Sequence, residues 1–175
     1  MQVSVRIILD HHLYTGLTGT AGEAGHMIVQ PGGRSCPCGN HGCLEQYISE
    51  PAVLSRYREL SGRTTVSIDD LVWAYNQKET AALAVTDEFT TYLACGINNL
   101  WNLFSPECII LNCQLTAYLP QLLPEILQKL SPRFRATCHL KLSTLQDTGV
   151  LLGAARVCIS KYLGTEKLYF SGLQP

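Results

Sequence analysis

The sequence predicts one α/β domain that carries a metal-binding loop near its start, and three observations support this. Short apolar or alternating segments typical of strands are interleaved with segments of helical periodicity, which is the pattern of an α/β protein. The chain has 175 residues, enough to build one substantial core. Cysteine, histidine and glycine are concentrated in residues 22–49, between the first predicted strands and the first predicted helices.

The first strands are predicted to form a hairpin. Residues 3–9 are rich in β-branched side chains in alternation, and Leu13 and Tyr14 follow a turn at Asp10-His11-His12. A further short strand is predicted over residues 26–30, because Pro31-Gly32-Gly33 follows it and breaks the extended run. The chain therefore opens with extended structure that leads directly into the cysteine-rich loop.

Helical periodicity begins after this loop. Helices are predicted over residues 43–48, 51–60, 68–75 and 79–104, with Ser67 as an N-cap of the third. The fourth helix is the longest and contains Gly96, which costs about 1 kcal/mol relative to alanine inside a helix. A glycine at that position indicates that another element packs closely against the helix.

The second half of the chain alternates between strands and helices. Residues 108–111 are continuously apolar and predict a buried strand. Leucines and isoleucine at helical spacing over residues 119–130 predict one helix, and residues 138–143 alternate as an edge strand does. A last helix is predicted from Gly149 to Leu163, with Gly164 at its C-terminal cap. This places the domain at residues 1–164 and a loose tail at residues 165–175.

The cysteine-rich loop is predicted to bind zinc. His26, Cys36, Cys38 and Cys43 are of the types that zinc prefers, and four such ligands complete a tetrahedral structural site. Free buried cysteines or a disulfide are the alternatives, although Cys36 and Cys38 are too close along the chain to pair comfortably. His41 lies inside the same loop, here named the zinc knuckle (residues 26–43), and could compete with His26 as the fourth ligand.

The same stretch resembles a known family. GEAGH at residues 22–26, followed by CPCGNHGCLE at residues 36–45 and Ser49, is similar to the signature of the ROK family (repressors, open reading frames and sugar kinases). Weaker similarity continues to Gly153-Ala154-Ala155, so it covers most of the chain. The resemblance implies the C-terminal half of an actin-like, ribonuclease-H-like sugar kinase fold, and it favours His26 over His41 as the zinc ligand.

The resemblance also implies a sugar site. In the family, the glutamate and histidine of GExGH and the glutamate of CLE reach sugar hydroxyls, and these correspond to Glu23, His26 and Glu45. The chemistry is suitable, because a carboxylate accepts hydroxyl hydrogen bonds and a metal-bound imidazole has its other nitrogen free. The alternative is that Glu23 and Glu45 only brace the zinc knuckle.

The glycines that the resemblance would place at a nucleotide-binding site are replaced by other residues in this sequence. Gln2, Ser4 and Arg6 stand where kinases of this type have glycines that approach the phosphates, and Asn112-Cys113-Gln114 replaces glycines beside the adenosine site. Side chains there obstruct the close backbone approach that phosphate binding needs. The N-terminal DxGgT motif and the catalytic aspartate of an Asn-Asp pair do not occur in this sequence. No catalytic residue is therefore predicted, and phosphoryl transfer by this chain alone is not expected.

Composition excludes several other classes of protein. The net charge is −1 with 15% charged residues, which is no electrostatic footprint for nucleic acid. No apolar run reaches membrane-spanning length, and no signal peptide opens the sequence. Of eight cysteines, five lie outside the zinc knuckle in apolar segments, and an odd number argues against a disulfide framework. A cytoplasmic location without membrane contact is the expectation.

The interpretation of the sequence is a zinc-containing, sugar-binding effector domain from a ROK-type transcriptional regulator. Its N-terminal half is expected to lie outside this chain, and DNA would be bound only through that half. The expected partners are a sugar or sugar phosphate and a second copy of the protein in a homodimer. The alternatives are the C-terminal half of an ATP-dependent ROK sugar kinase, or an inactive sugar-binding relative.

Overall fold

A computed structural model describes residues 3–10, 12–145 and 148–164. It contains four strands in two separate sheets, and eight α-helices in this described part of the chain. The strands are β1 (Ile7–Leu9), β2 (His12–Tyr14), β3 (Cys108–Leu111) and β4 (His139–Leu142). The helices are α1 (Glu45–Ile48), α2 (Glu50–Ser61), α3 (Ile68–Asn76), α4 (Thr80–Phe104), α5 (Gln114–Tyr118), α6 (Leu122–Lys129), α7 (Pro132–Thr137) and α8 (Thr148–Leu163). The predicted tail, residues 165–175, lies outside the described residues.

Each sheet has two strands. β1 and β2 form the predicted hairpin, in which Ile7 lies opposite Tyr14 and Leu9 opposite His12. β3 and β4 are parallel, with Cys108 opposite His139. The prediction that β3 is a buried strand was wrong: none of its residues is fully buried, and Ile110 is 65% exposed.

Local sequence signals explain why α2 and α3 begin where they do. The Ser49 hydroxyl accepts a hydrogen bond from the Ala52 amide, with proline in the first turn of α2. At α3 the Ser67 hydroxyl accepts from the Asp70 amide, and the Asp70 carboxylate accepts from the Ser67 amide. This reciprocal capping box confirms the predicted N-cap of α3.

α4 is the centre of the core. It contacts α1, α2, α3 and α6, and ten of its residues are buried, among them Phe89 and Ile97. A Cβ atom on Gly96 would lie 2.6 Å from Cδ2 of Leu44, the residue that follows Cys43. The close packing predicted from Gly96 is confirmed, and the residue that packs there directly follows the zinc knuckle.

Two predicted elements differ from the structure. Residues 26–30 do not form a strand: Ala24–His26 is a single 3₁₀ turn, and only an isolated bridge joins Ile28 to Cys43. The bridge does not extend because the amides of Val29 and Gln30 both donate to one carbonyl, that of Gly42. The helix predicted over residues 119–130 corresponds to α6, which begins only at Leu122; the short helix α5, which ends before Pro120, was not predicted. Proline has no amide hydrogen to continue a helix, so α5 and α6 are separate.

α8 is unusual because none of its residues is buried, although the predicted helix is present. Val150 is 74% exposed, Leu151 72% and Tyr162 90%, and only Arg156 and Lys161 carry charge in this helix. Gly164 has a φ of 62°, as expected of a glycine that ends a helix. Among the described residues, no helix is long and apolar enough to cross a membrane.

Candidate metal centre

The backbone of the zinc knuckle is folded back on itself by hydrogen bonds. The Leu44 amide donates to the Met27 carbonyl at 2.8 Å, and the Gly42 amide donates to the Arg34 carbonyl at 2.7 Å. The Cys36 amide donates to the Asn40 carbonyl at 2.9 Å, which closes the tight turn between the cysteines. These bonds bring side chains that are up to seventeen positions apart in sequence, from His26 to Cys43, to one point.

The four predicted ligands converge there. One donor atom from each of His26, Cys36, Cys38 and Cys43 lies within 4.8 Å of the others. The His26 Nδ1 atom is 3.6 Å from the Cys36 Sγ atom, and the Cys38 and Cys43 Sγ atoms are 3.7 Å apart. Ligand atoms about 2.0–2.3 Å from a tetrahedral ion are separated by roughly 3.5–3.8 Å, so this donor set fits a zinc ion.

His41 does not join this cluster. It is exposed, and it takes part in an isolated bridge with Ser35 on the outside of the loop. None of the eight cysteines forms a disulfide. The cluster of one imidazole and three thiols could therefore hold a metal ion, and His26 is the histidine that lies within it.

The thiols of the cluster differ in acidity for physical reasons. The backbone N–H of Asn40 donates to Cys38 and is the main cause that lowers the pKa of this exposed thiol to about 7. Burial raises the pKa of the Cys43 thiol to about 12, because the thiolate would be removed from water. A metal ion that binds Cys43 at neutral pH must therefore displace a proton from it.

The knuckle depends on glycine at one position more than at another. Gly39 and Gly42 both have left-handed φ angles, 94° and 81°. A Cβ atom on Gly42 would lie 1.7 Å from the Gln30 carbonyl oxygen, whereas one on Gly39 would have no neighbour within 4 Å. The turn at Gly42 therefore requires glycine for both its φ angle and the space around it.

These two glycines form a matched pair for mutation. Gly39→Ala is expected to lower the free energy of unfolding of the zinc-loaded chain by about 1–2 kcal/mol, from backbone strain alone. Gly42→Ala is expected to lower it by roughly 3–5 kcal/mol, because backbone strain and overpacking add. Urea denaturation measures both changes. Equal losses would contradict the close approach of Gln30 to Gly42.

Arg34 ties the knuckle to the helices. Its guanidinium donates to the Gln46 carbonyl at 2.8 Å, pairs with Glu88 of α4 and lies 4.6 Å from the centre of the Tyr47 ring. Glu88 also accepts from Arg56 of α2 at 3.1 Å. Together with Gly96, these contacts fix the position of the knuckle on α4.

Two of the three predicted sugar-binding residues, Glu23 and Glu45, flank the cluster in sequence, and the third, His26, is part of it. The Glu23 carbonyl accepts from the His26 amide at 3.1 Å, and Glu23 is exposed at the start of the 3₁₀ turn. Glu45 begins α1 two positions after Cys43, and its Oε2 atom accepts from the Val3 amide at 2.9 Å. Glu45 therefore has a structural contact with the first residues of the chain, which the sequence did not reveal.

Several residues around the cluster were missed in the sequence. Gln46 donates from Nε2 to the Cys36 Sγ atom at 3.6 Å, and Arg34 and Glu88 form the ion pair described above. Pairing between Arg34 and Glu88 has no signal in sequence, because the two are 54 positions apart. Of the remaining histidines, His12 and His139 are exposed, and His11 lies outside the described residues.

Comparison with known proteins identifies relatives over most of the chain. The model of the ROK family matches residues 4–161. The xylose repressor of Bacillus spizizenii is 31% identical over 95% of this chain. The N-acetyl-D-glucosamine kinase of Haemophilus influenzae is 28% identical over 88% of it. The chain spans 44% of the repressor and 55% of the kinase.

Solved structures of similar proteins include both regulators and kinases. A ROK family transcriptional regulator, described as a homolog of the Escherichia coli MLC protein, has a TM-score of 0.74 and 28% identity and covers 93% of this chain. A ROK hexokinase from Thermus thermophilus has a TM-score of 0.72 and 25% identity and covers 86%. This chain corresponds to 44% of the regulator and 51% of the hexokinase, so its α/β fold is the one found in about half of each protein.

Proposed function

This chain belongs to the ROK family, and from that premise we propose that it is the zinc-containing, sugar-binding effector domain of a ROK-type transcriptional regulator. The convergence of His26, Cys36, Cys38 and Cys43 is the observation that carries the proposal. A divalent zinc ion bound there would supply a fixed point that holds the loop of residues 26–43 in one shape. The residues that face a sugar would then be held in place by this loop.

The proposed sugar contacts come from Glu23, His26 and Glu45. The His26 Nδ1 atom points to the cluster, so its Nε2 atom is the nitrogen left to meet a sugar hydroxyl. The carboxylates of Glu23 and Glu45 flank it in sequence and would each accept hydroxyl hydrogen bonds. These residues are positioned by the 3₁₀ turn and by the first turn of α1, which adjoin the knuckle on either side.

The choice of regulator over kinase rests on the residues that correspond to the nucleotide-binding site of the kinases. Cys113 precedes the five-residue helix α5 and packs against the core, at a position where glycine is expected in the kinases. Ser4 and Arg6 carry side chains at the predicted phosphate loop, and Gln2 lies outside the described residues. Phosphoryl transfer depends on positioned phosphates and metal, so these side chains support a binding role rather than an enzymatic one.

We also propose that a preceding half of the parent protein covers α8. Isolated apolar helices of this length gain most of their stability from packing, and α8 has no buried residue. The relatives described above are about twice as long as this chain. The amide hydrogens of α8 are expected to exchange more slowly in the parent protein than in this chain. Equal exchange would contradict the proposal.

Two assays on the parent protein separate the regulator from the kinase. Calorimetric titration with D-xylose, N-acetyl-D-glucosamine and D-glucose is the first, because two of these sugars are named in the relatives. ATP consumption with the same sugars is the second. We expect at least one of these sugars to bind in the calorimetric titration and none to cause ATP hydrolysis. Sugar-dependent ATP turnover would establish the kinase instead, and zinc without binding of any sugar would favour an inactive relative.

A further inference from the structure

The side chain of Gln46 lies against the sulfur of a proposed metal ligand. Gln46 is the second residue of α1, and its amide Nε2 donates to the Cys36 Sγ atom at 3.6 Å. Cys36 is 4% exposed, so little water reaches this sulfur. We propose that Gln46 is a positioning residue for the metal centre, which acts by donating a hydrogen bond to the Cys36 thiolate. The inference rests on the proposed zinc site and adds a residue to it.

The charge of the cluster explains why a donor is needed there. Three thiolates and a neutral imidazole give a complex with a divalent ion a net negative charge. Two of the sulfurs, those of Cys36 and Cys43, are buried, and a buried negative charge is costly unless hydrogen bonds compensate for it. The backbone N–H of Asn40 serves the exposed Cys38, whereas Cys36 receives its hydrogen bond from a side chain. The amide of Gln46 therefore compensates charge at a sulfur that water does not reach.

Gln46 is itself held in place. The Arg34 guanidinium donates to the backbone carbonyl of Gln46 at 2.8 Å, and Arg34 is fixed by its ion pair with Glu88. The neighbouring Tyr47 hydroxyl accepts from the Arg34 amide at 3.0 Å, and the Tyr47 ring stacks on Tyr92 with ring centres 4.0 Å apart. The backbone at Gln46 and Tyr47 is thus held by Arg34 and by the stacking of Tyr47 on Tyr92. From this fixed backbone the Gln46 side chain reaches the Cys36 sulfur.

Loss of the hydrogen bond from Gln46 should affect the metal-bound form of the protein specifically. A hydrogen bond to a thiolate stabilises the sulfur lone pairs and the negative complex, and outer partners of metal ligands typically change affinity about 10- to 100-fold. Removing the donor should therefore weaken zinc binding and alter the electronic spectrum of a substituted metal. A residue that merely filled space would change the stability of the metal-free chain and leave the spectrum as it was.

The test is cobalt substitution and zinc competition in the full chain. Gln46→Leu keeps a similar volume without a donor, and it is expected to lower zinc affinity about 10-fold against a chromophoric chelator. The sulfur-to-cobalt charge-transfer band of the Co²⁺ form should move to longer wavelength. Gln46→Glu places a carboxylate oxygen against the thiolate and should weaken zinc binding further. Gln77→Leu, at an exposed residue beside the end of α3, is the matched control and should leave both readouts unchanged.

Each outcome bears on the inference. A weaker zinc complex with a shifted band in Gln46→Leu, and neither change in Gln77→Leu, would support it. A Gln46→Leu protein with the zinc affinity and cobalt spectrum of the unmodified chain would overturn it and leave the metal site intact. If the unmodified chain binds neither cobalt nor zinc, the proposed metal centre itself fails and this inference falls with it.

Discussion

Cys43→Ser is expected to reduce zinc affinity by about 100- to 1,000-fold, a share of the roughly 10–16 kcal/mol that a structural zinc site contributes through its ligands. Cys43 is fully buried at the point where the knuckle returns to α1, so the loss should also disorder the loop. The measurement is zinc content after dialysis, together with competition against a chelator. The unmodified chain should retain about one zinc ion and the variant almost none.

Two further variants make this result interpretable. Cys38→Ser changes an exposed member of the same cluster, so a comparable loss of zinc there would not come from damage to the core. Cys158→Ser changes an exposed cysteine of α8 that is remote in sequence from the knuckle, and it should retain zinc. Full zinc content in both cluster variants would contradict the metal centre.

Glu45→Gln is expected to weaken sugar binding by about 10- to 100-fold, because hydrogen bonds to a charged acceptor contribute roughly 1.5–3 kcal/mol. The substitution retains an oxygen that can accept from the Val3 amide, so the structural contact of Glu45 can persist. Isothermal titration of the parent protein with its sugar measures the change. The effect should appear in sugar affinity, while zinc content stays the same.

Glu59→Gln is the matched control for this substitution. Glu59 lies on α2, and its ion pair with Arg56 is on the exposed surface at 3.0 Å. It should leave sugar affinity unchanged. If Glu45→Gln lowered thermal stability but left sugar affinity intact, Glu45 would be a brace of the knuckle rather than a sugar contact.

Much of this fold could be predicted from the sequence, because these features depend on interactions between residues that are close along the chain or on the type of a single residue. The capping box of Ser67 and Asp70, the hairpin at β1 and β2, and the packing of Gly96 all follow from residues near in sequence or from one residue type. The cluster of ligands was also predictable, since Cys36, Cys38 and Cys43 lie within eight positions and their chemistry is distinctive.

The parts that sequence did not predict depend on long-range contacts. Glu88 meets Arg34 and Arg56 only because α4 packs against both the knuckle and α2. The contact of Glu45 with the Val3 amide joins residues 42 positions apart. The extended run at residues 26–30 has the composition of a strand, yet Gly42 offers one carbonyl to two amides and no ladder forms. Such outcomes are decided by tertiary packing rather than by local preference.

The mechanism proposed for the parent protein requires two states with different sugar affinity. Sugar bound at Glu23, His26 and Glu45 would favour one arrangement of the two halves of the protein, or of the two subunits of the homodimer expected from the sequence. Operator affinity would change only by as much as the sugar distinguishes these states. In this mechanism the zinc knuckle would hold the sugar contacts in a fixed geometry, so that sugar binding would stabilise one of the two states more than the other.

The most direct test is the operator affinity of the zinc-loaded parent protein, measured by fluorescence anisotropy with and without the sugar found by calorimetry. We expect saturating sugar to change the dissociation constant for operator DNA by about 5- to 150-fold, and chelation of zinc to reduce this response. An operator affinity that stays the same with every sugar, under conditions where calorimetry shows the sugar is bound, would contradict the proposed regulatory function.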